Sequence, residues 1–405
     1  MATSTDKAGP FISSTENLKF SDLRKYWMKM EARTTFTGSE TFLEETGSVS
    51  ASDLFRITES TGSEPNVPDA TENAQISSST QGNWKPTQFV GAIKYYFLEQ
   101  TGVELNYDVG AQAWNSNLPK TIVKKVFLNG SCGSVNTNSP ACELNQNAKN
   151  LRIVVAGGIY GAGGPQKTGT SQSGTNGGSA FSISNISSLL NNVIVEVTGT
   201  GRIYGGGAGG GSGGLGGTGG DGGSYGYTQG GASEQCHPAF VQNRHHIRPC
   251  VQLFHSQFVP TTGGTGGAGG AGGFGGFGAG FGSQQGTGPG QFTLITSGQP
   301  GQPGTGGDPG GAAGSGSGPG GAGGNGGDGG HGGVYGQPST AGGVGQPGQP
   351  GTSAPGSPGT AGTAGGPGGT PAGTGGASIL GSNYYFTGTI TSLTVKGDLS
   401  GGTEL

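Results

Sequence analysis

The apolar positions of this chain follow two regimes that meet near residue 200. Short β-branched runs dominate from residue 121: Ile122–Leu128, Leu151–Val155 and Val193–Val197 are dense in Val and Ile and predict strands. Tyr384–Val395 alternates apolar and polar positions, so it predicts a strand that returns to pair with this β layer and close the structure. Upstream, three segments each open on a hydroxyl residue able to accept from first-turn amides, and they predict short helices over Ser21–Trp27, Ser50–Arg56 and Thr87–Phe97. The third sets Phe89, Ile93 and Phe97 at four-residue spacing on one face. Glu64–Ala70, between them, is irregular.

From about Gly201 to Gly376 neither periodicity holds, and glycine recurs in three-residue registers instead. A period of three matches the polyproline II helix, which has no internal hydrogen bonds and must find partners sideways. Collagen-like Gly-Gln-Pro runs occur at Gly298–Gly304 and Gly345–Gly351, while Gly-Gly-X runs leave two bare faces per turn for close backbone approach. The X rows Leu215, Thr218, Asp221; Ala271, Phe274, Phe277; and Asn325, Asp328, His331 are expected to form single faces. The competing reading is a flexible linker, since the chain holds 95 Gly and 22 Pro. The strict period and the scarcity of Lys and Glu favour order.

An internal repeat links the regimes. Leu151–Gly164 and Val193–Gly210 share a strand, a glycine step, Ile-Tyr-Gly and a glycine run, and Val334-Tyr335-Gly336 echoes the tripeptide. Each unit reads as a β rung feeding a glycine segment, as in a solenoid. The expected fold is mainly β with a polyglycine II helix bundle and a small α-containing N-terminal docking domain. Its expected parts are a docking domain at 1–118, a β-strand layer at 119–200, the glycine-rich bundle at 201–376 with a Cys/His insertion at 232–260, and a closing β segment at 377–405.

Charge narrows the function classes. Net charge is -4, and residues 1–150 carry 13 Lys/Arg and 16 Asp/Glu against 6 and 7 in the rest, so the glycine region is electrically quiet. Nucleic-acid binding, which calls for a basic stripe, is not expected. Nor is membrane insertion, for want of a long apolar run. The N-terminus lacks a signal sequence, which points to synthesis in a cytoplasm.

Four cysteines form two local pairs, Cys132 with Cys142 and Cys236 with Cys250, both disulfide candidates. Such bonds fit a particle released into an oxidising medium better than a cytoplasmic protein. The insertion around Cys236, His237, His245, His246, Cys250 and His255 has metal-ligand chemistry but no standard spacing, so metal binding competes there with a disulfide-pinned loop. The same loop carries Phe240, Arg244, His245, His246, Arg248 and Phe254, candidates for a recognition tip. Gly216–Asp221 and Gly323–Asp328 match the start of a calcium nonapeptide, but Gly223 and Gly330 stand where it needs a large apolar residue. No nucleophile elbow, zinc helix or paired-carboxylate constellation is present, so no cofactor and no enzymatic activity are expected.

The segments Phe20–Arg24, Gly47–Arg56, Val67–Ala70, Lys120–Gly130 and Gly381–Gly397 resemble glycine-rich virion structural proteins of tailed phages, especially contractile-tailed phages of marine cyanobacteria. The glycine tract is also similar to the receptor-binding adhesins at long-tail-fibre tips of T-even phages. The resemblance implies a virion location and, as partners, other virion proteins, a homo-oligomer and a host cell-surface glycan or protein. The leading expectation is a structural protein of a phage appendage, with a host-binding adhesin as the alternative. An ice-binding protein is the alternative of another class.

Overall fold

The computed structural model describes residues 74–76, 85–89, 96–111, 115–120, 122, 124–236, 240–242, 245–247, 250–275, 278–281, 294–295, 300–312, 317–354, 357–370, 373–388, 390–391, 394–400 and 402–404. For 225–260 only the backbone path is described. The helix candidates at Ser21–Trp27 and Ser50–Arg56 lie outside these residues.

The chain winds through three parallel sheets in turn. The first circuit is β1 (Tyr96–Gln100), β2 (Val103–Leu105) and β3 (Tyr107–Asp108). The second is β4 (Lys124–Leu128), β5 (Ser131–Gly133) and β6 (Cys142–Leu144), and the third is β7 (Leu151–Val155), β8 (Gly158–Tyr160) and β9 (Phe181–Ile183). The fourth starts with β10 (Ile194–Val197) and β11 (Arg202–Tyr204) and leaves for the glycine tract. That tract carries β12 (Tyr225–Cys236), β13 (Phe240–Gln242), β14 (His245–Ile247), β15 (Cys250–Thr261), β16 (Gly280–Phe281) and β17 (Leu294–Ile295). The circuit resumes at β18 (Ile379–Gly381), followed by β19 (Tyr384–Gly388), β20 (Val395–Lys396) and β21 (Gly402–Glu404). Like positions stack into sheet A (β1-β4-β7-β10-β19-β21), sheet B (β2-β5-β8-β11-β20) and sheet C (β18-β9-β6-β3), a three-sided β-solenoid.

Register follows the apolar ladders. Leu98, Val126, Ile153, Val195 and Phe386 stack along sheet A, and Cys132, Ile159, Ile203 and Val395 along sheet B. A one-residue slip would expose either ladder, which is why the hydrophobic pattern fixes the pairing. Leu128, Ile153, Ile159, Phe181 and Tyr384 close one continuous core. The corner between sheets A and B is tight: a Cβ at Gly157 would overlap the Gly130 carbonyl oxygen. At the corner leading into sheet A, the fully buried Lys124 donates from Nζ to the carbonyls of Lys120, Ile122 and Lys149 at 2.6, 2.5 and 2.7 Å. The outer side of sheet A holds the ion pair Arg152 Nε to Glu196 Oε2, 2.6 Å.

The fold-class expectation of a polyglycine II helix bundle with an α-containing N-terminal domain is corrected. Regular structure is dominated by three parallel β-sheets, with three two-stranded antiparallel pairs beside them, and no α-helix occurs among the described residues. The third helix candidate gives a short 3-10 turn at Pro86–Phe89 and then strand β1, whose pairing with β4 puts Phe97 opposite Lys125. Tertiary pairing overrides the four-residue spacing there because Tyr96–Leu98 is also rich in β formers. Among the described residues the solenoid therefore starts at Tyr96, inside the expected 1–118 domain.

The glycine tract is one enormous connection between sheets B and C, running from Tyr204 to Ile379. Residues 205–223 run antiparallel to 262–275, 317–333 and 357–370 and parallel to 338–352, joined by backbone bonds that recur every third residue. Gly213, Gly216, Gly219 and Gly222 donate to Gly273, Gly270, Gly267 and Gly264, while Gly214, Gly217, Gly220 and Gly223 donate to Gly343, Gln346, Gln349 and Thr352. Both glycines of each triplet thus face neighbouring backbone, where a Cβ at Gly216 would overlap the Gly324 carbonyl and one at Gly217 that of Thr363. Leu215, Thr218 and Asp221, the third residues, are exposed.

Candidate functional site

The glycine segments have two ends of different character. At the near end the tract returns to the solenoid on the outer side of sheet B. There Tyr160, Tyr204 and Lys396 stand in register. Tyr335, from a turn of the glycine tract, lies over them, with ring centroids 5.0 Å from Tyr204 and 6.1 Å from Tyr160. Lys396 Nζ sits 4.8 Å from the Tyr204 ring centroid, within cation–π range. Phe281 occupies the space left by Gly133, one position along the same row. The three tyrosines of the Ile/Val-Tyr-Gly echoes thus form the joint. Burial, first of all, and the two neighbouring phenols push the Tyr335 hydroxyl well above the ordinary tyrosine range. Among the described residues that hydroxyl has no hydrogen-bond partner.

At the far end the chain reverses direction between 224 and 262, between 312 and 317 and between 352 and 357, and the described residues at these reversals meet. Ser224 N–H donates to Ser357 Oγ at 2.8 Å, and Thr261 and Ser317 hydroxyls meet at 2.6 Å. Continuing from Ser224 and back to Thr261 is a ribbon in which β12 pairs antiparallel with β15 over twelve positions, Tyr225 opposite Thr261 through Cys236 opposite Cys250. Beyond it β13 and β14 form a second hairpin, with Phe240 opposite Ile247 and Gln242 opposite His245. The pairing sum steps by one residue between the two ladders, so the tip hairpin is offset from the ribbon.

This geometry sorts the sequence candidates. Phe240, His245 and His246 lie on the tip hairpin, and Phe254 lies on the ribbon opposite Ala232. Arg244, Arg248 and His237 fall outside the described residues. His245 and His246 are successive strand residues and therefore belong to opposite faces. His255 pairs with Gly231, five positions from the Cys236–Cys250 pair, about 17 Å along the strand, far beyond a shared coordination sphere. The ribbon therefore does not gather Cys236, Cys250 and His255 into one metal centre. The calcium-like aspartates are engaged otherwise: Asp221 Oδ1 accepts the Gly266 N–H at 2.9 Å, and Asp328 Oδ1 that of Gly304 at 3.1 Å. Among the described residues no group of three or more His, Cys, Asp or Glu is arranged to hold a metal.

Cys132 and Cys142 are brought together inside the solenoid, but as buried free thiols rather than a disulfide. Burial, and then the hydrogen bond with Cys132, push the Cys142 thiol well above its usual range. Next to it, burial and then Asp108 raise the Glu143 carboxyl. The joint tyrosines were missed as a site by sequence reasoning, although the Ile-Tyr-Gly echo was their signal. Lys124 had no signal beyond its place at a strand start.

No family model matches this chain, and no curated protein does. Among solved structures, the gp37-gp38 adhesin tip complex of the bacteriophage S16 long tail fiber matches at 14% identity, over 79% of this chain and 88% of that one, with a TM-score of 0.26. A likeness at that level carries no argument about this chain. No helix among the described residues is long and apolar enough to cross a membrane.

Proposed function

We propose that this chain is a non-enzymatic structural protein of a tailed-phage virion appendage. Its N-terminal part docks to other virion proteins, and the glycine segments project outward from the solenoid. The observation that carries this reading is the division of ends: one is locked to the solenoid through Tyr204 and Tyr335, and the other joins two further turns of the chain to the base of a two-stranded ribbon. A scaffold of backbone-to-backbone bonds with exposed third residues suits a stiff, hydrated spacer. Recognition of a host-surface glycan or protein by the ribbon tip is the finer form of the proposal, since loops on a rigid scaffold are the usual bearers of binding. Assembly as a homo-oligomer belongs to the same proposal.

Immunogold labelling of purified virions with antibody to the full chain tests it: label on a tail appendage is expected, and unlabelled virions containing no peptide of this chain by mass spectrometry overturn it. Competition tests the finer form, because purified chain should slow phage adsorption and a chain with residues 237–249 replaced by Gly-Gly should not. The ice-binding alternative predicts thermal hysteresis, but the hydroxyl of Thr218 on the exposed row already meets that of Thr363.

A further inference from the structure

We infer that Cys236 and Cys250 are the site of a disulfide that clamps the outer end of the ribbon. They are the last of the twelve register pairs of β12 and β15. Directly opposite residues of an antiparallel pair have Cα atoms about 4.5 or 5.5 Å apart, according to whether they exchange hydrogen bonds. Both spacings lie within the roughly 4.4–6.8 Å that a disulfide requires. The ribbon also needs such a clamp. A two-stranded ribbon is marginal alone, and Gly226, Gly230 and Gly231 weaken the face pattern that would hold its register. The bond sits between the ribbon and the tip hairpin, so it fixes the base of the segment that carries Phe240, His245 and His246.

Two S–H bonds break and one S–S bond forms. The two electrons and two protons pass to an external disulfide such as oxidised glutathione, which leaves as two thiols. The other pair differs: Cys132 and Cys142 are fully buried, and the Cys142 thiol is held protonated. Thiolate is the attacking species in exchange, so the inner pair reacts slowly in the folded chain. The inference does not depend on what the tip binds.

The test uses the full chain, purified reduced, incubated folded with oxidised glutathione, alkylated under denaturing conditions and digested with trypsin. Cleavage after Arg244 separates the two cysteines, because Cys236 falls in 203–244 and Cys250 in 245–396, while Cys132 and Cys142 share peptide 126–149. The expected result is one species joining 203–244 to 245–396, split by reductant, with 126–149 doubly alkylated. Cys236→Ser should abolish the joined species and leave Cys250 alkylated or carrying a single glutathione. Separate, alkylated 203–244 and 245–396 peptides from the unmodified chain would overturn the inference. So would a bond from either cysteine to 126–149 or to a second chain.

Discussion

Thr218 and Thr363 clasp each other across two glycine segments. The Thr363 N–H donates to the Thr218 carbonyl at 2.8 Å, and the Thr218 N–H donates to the Thr363 hydroxyl at 2.7 Å. The same reciprocal pair joins Asp221 to Thr360, Ala271 to Thr305 and His331 to Thr340. Glycine amides such as those of Gly216 and Gly217 find carbonyl partners in the neighbouring backbone, and at these sites a threonine hydroxyl serves the amide of the third residue.

Replacing that hydroxyl with a methyl group tests the clasp. Thr363→Val should cost about 1 kcal/mol, the net worth of one hydrogen bond, while Thr363→Ser should stay within about half of that. Chemical denaturation reads the stability, and hydrogen exchange should quicken at the Thr218 amide in the valine variant alone.

Backbone contact makes the glycines intolerant and the third residues tolerant. Gly216→Ala drives a Cβ into the Gly324 carbonyl and should destabilise by roughly 2 kcal/mol or more, in the range of overpacking. Leu215, 47% exposed, should accept alanine within about 0.5 kcal/mol. Equal melting shifts for the two variants would contradict the packing described.

Lys124 gives three ammonium hydrogen bonds to the backbone carbonyls of Lys120, Ile122 and Lys149, which flank the second circuit. Lys124→Met keeps the aliphatic stem but strands those acceptors, so a loss of about 3 kcal/mol is expected, among the larger single-residue effects. Urea midpoints of the purified chain decide it.

Among the described residues the Tyr335 hydroxyl is buried without a partner, so removing it relieves a desolvation cost while keeping the ring between Tyr160 and Tyr204. Tyr335→Phe should therefore be neutral or stabilising by up to about 1 kcal/mol. A melting temperature lowered by several degrees would mean that the hydroxyl has a partner after all.

Glu143 lies in register with Asp108 on sheet C, with Cys142 and Tyr107 as the adjoining pair. Its carboxyl is raised by burial and by Asp108, so the folded state holds the proton more tightly than the unfolded chain does. Below the unfolded carboxylate pKa the group is neutral in both states and costs nothing. As pH rises through the folded pKa, the charged form penalises the folded state. Glu143→Gln should match the parent near pH 3 and exceed it slightly at pH 7, read by denaturation at both values. The reverse order would place an unrecognised cation beside Glu143.

The sequence by itself located much of the β structure. Leu151–Val155 and Tyr384–Gly388 were legible as strands because β-branched and aromatic residues crowd there, and the Ile-Tyr-Gly echo marked positions that stack. It also set the three-residue register, since only glycine tolerates backbone contact on two faces. Tertiary structure decided what those patterns become. Phe97 joins a strand because Lys124–Leu128 is available to pair with it, which no four-residue spacing discloses. The glycine tract is an excursion from one corner of a solenoid rather than a separate helical domain, because Tyr335 and Phe281 come back to sheet B from far along the chain. Cys132 and Cys142 sit together inside the core, while Cys236 and Cys250 are ordered by ladder register. Local preference selects extended backbone, but which strands become neighbours depends on long-range pairing and shared burial, and those contacts exist only once the chain has closed on itself.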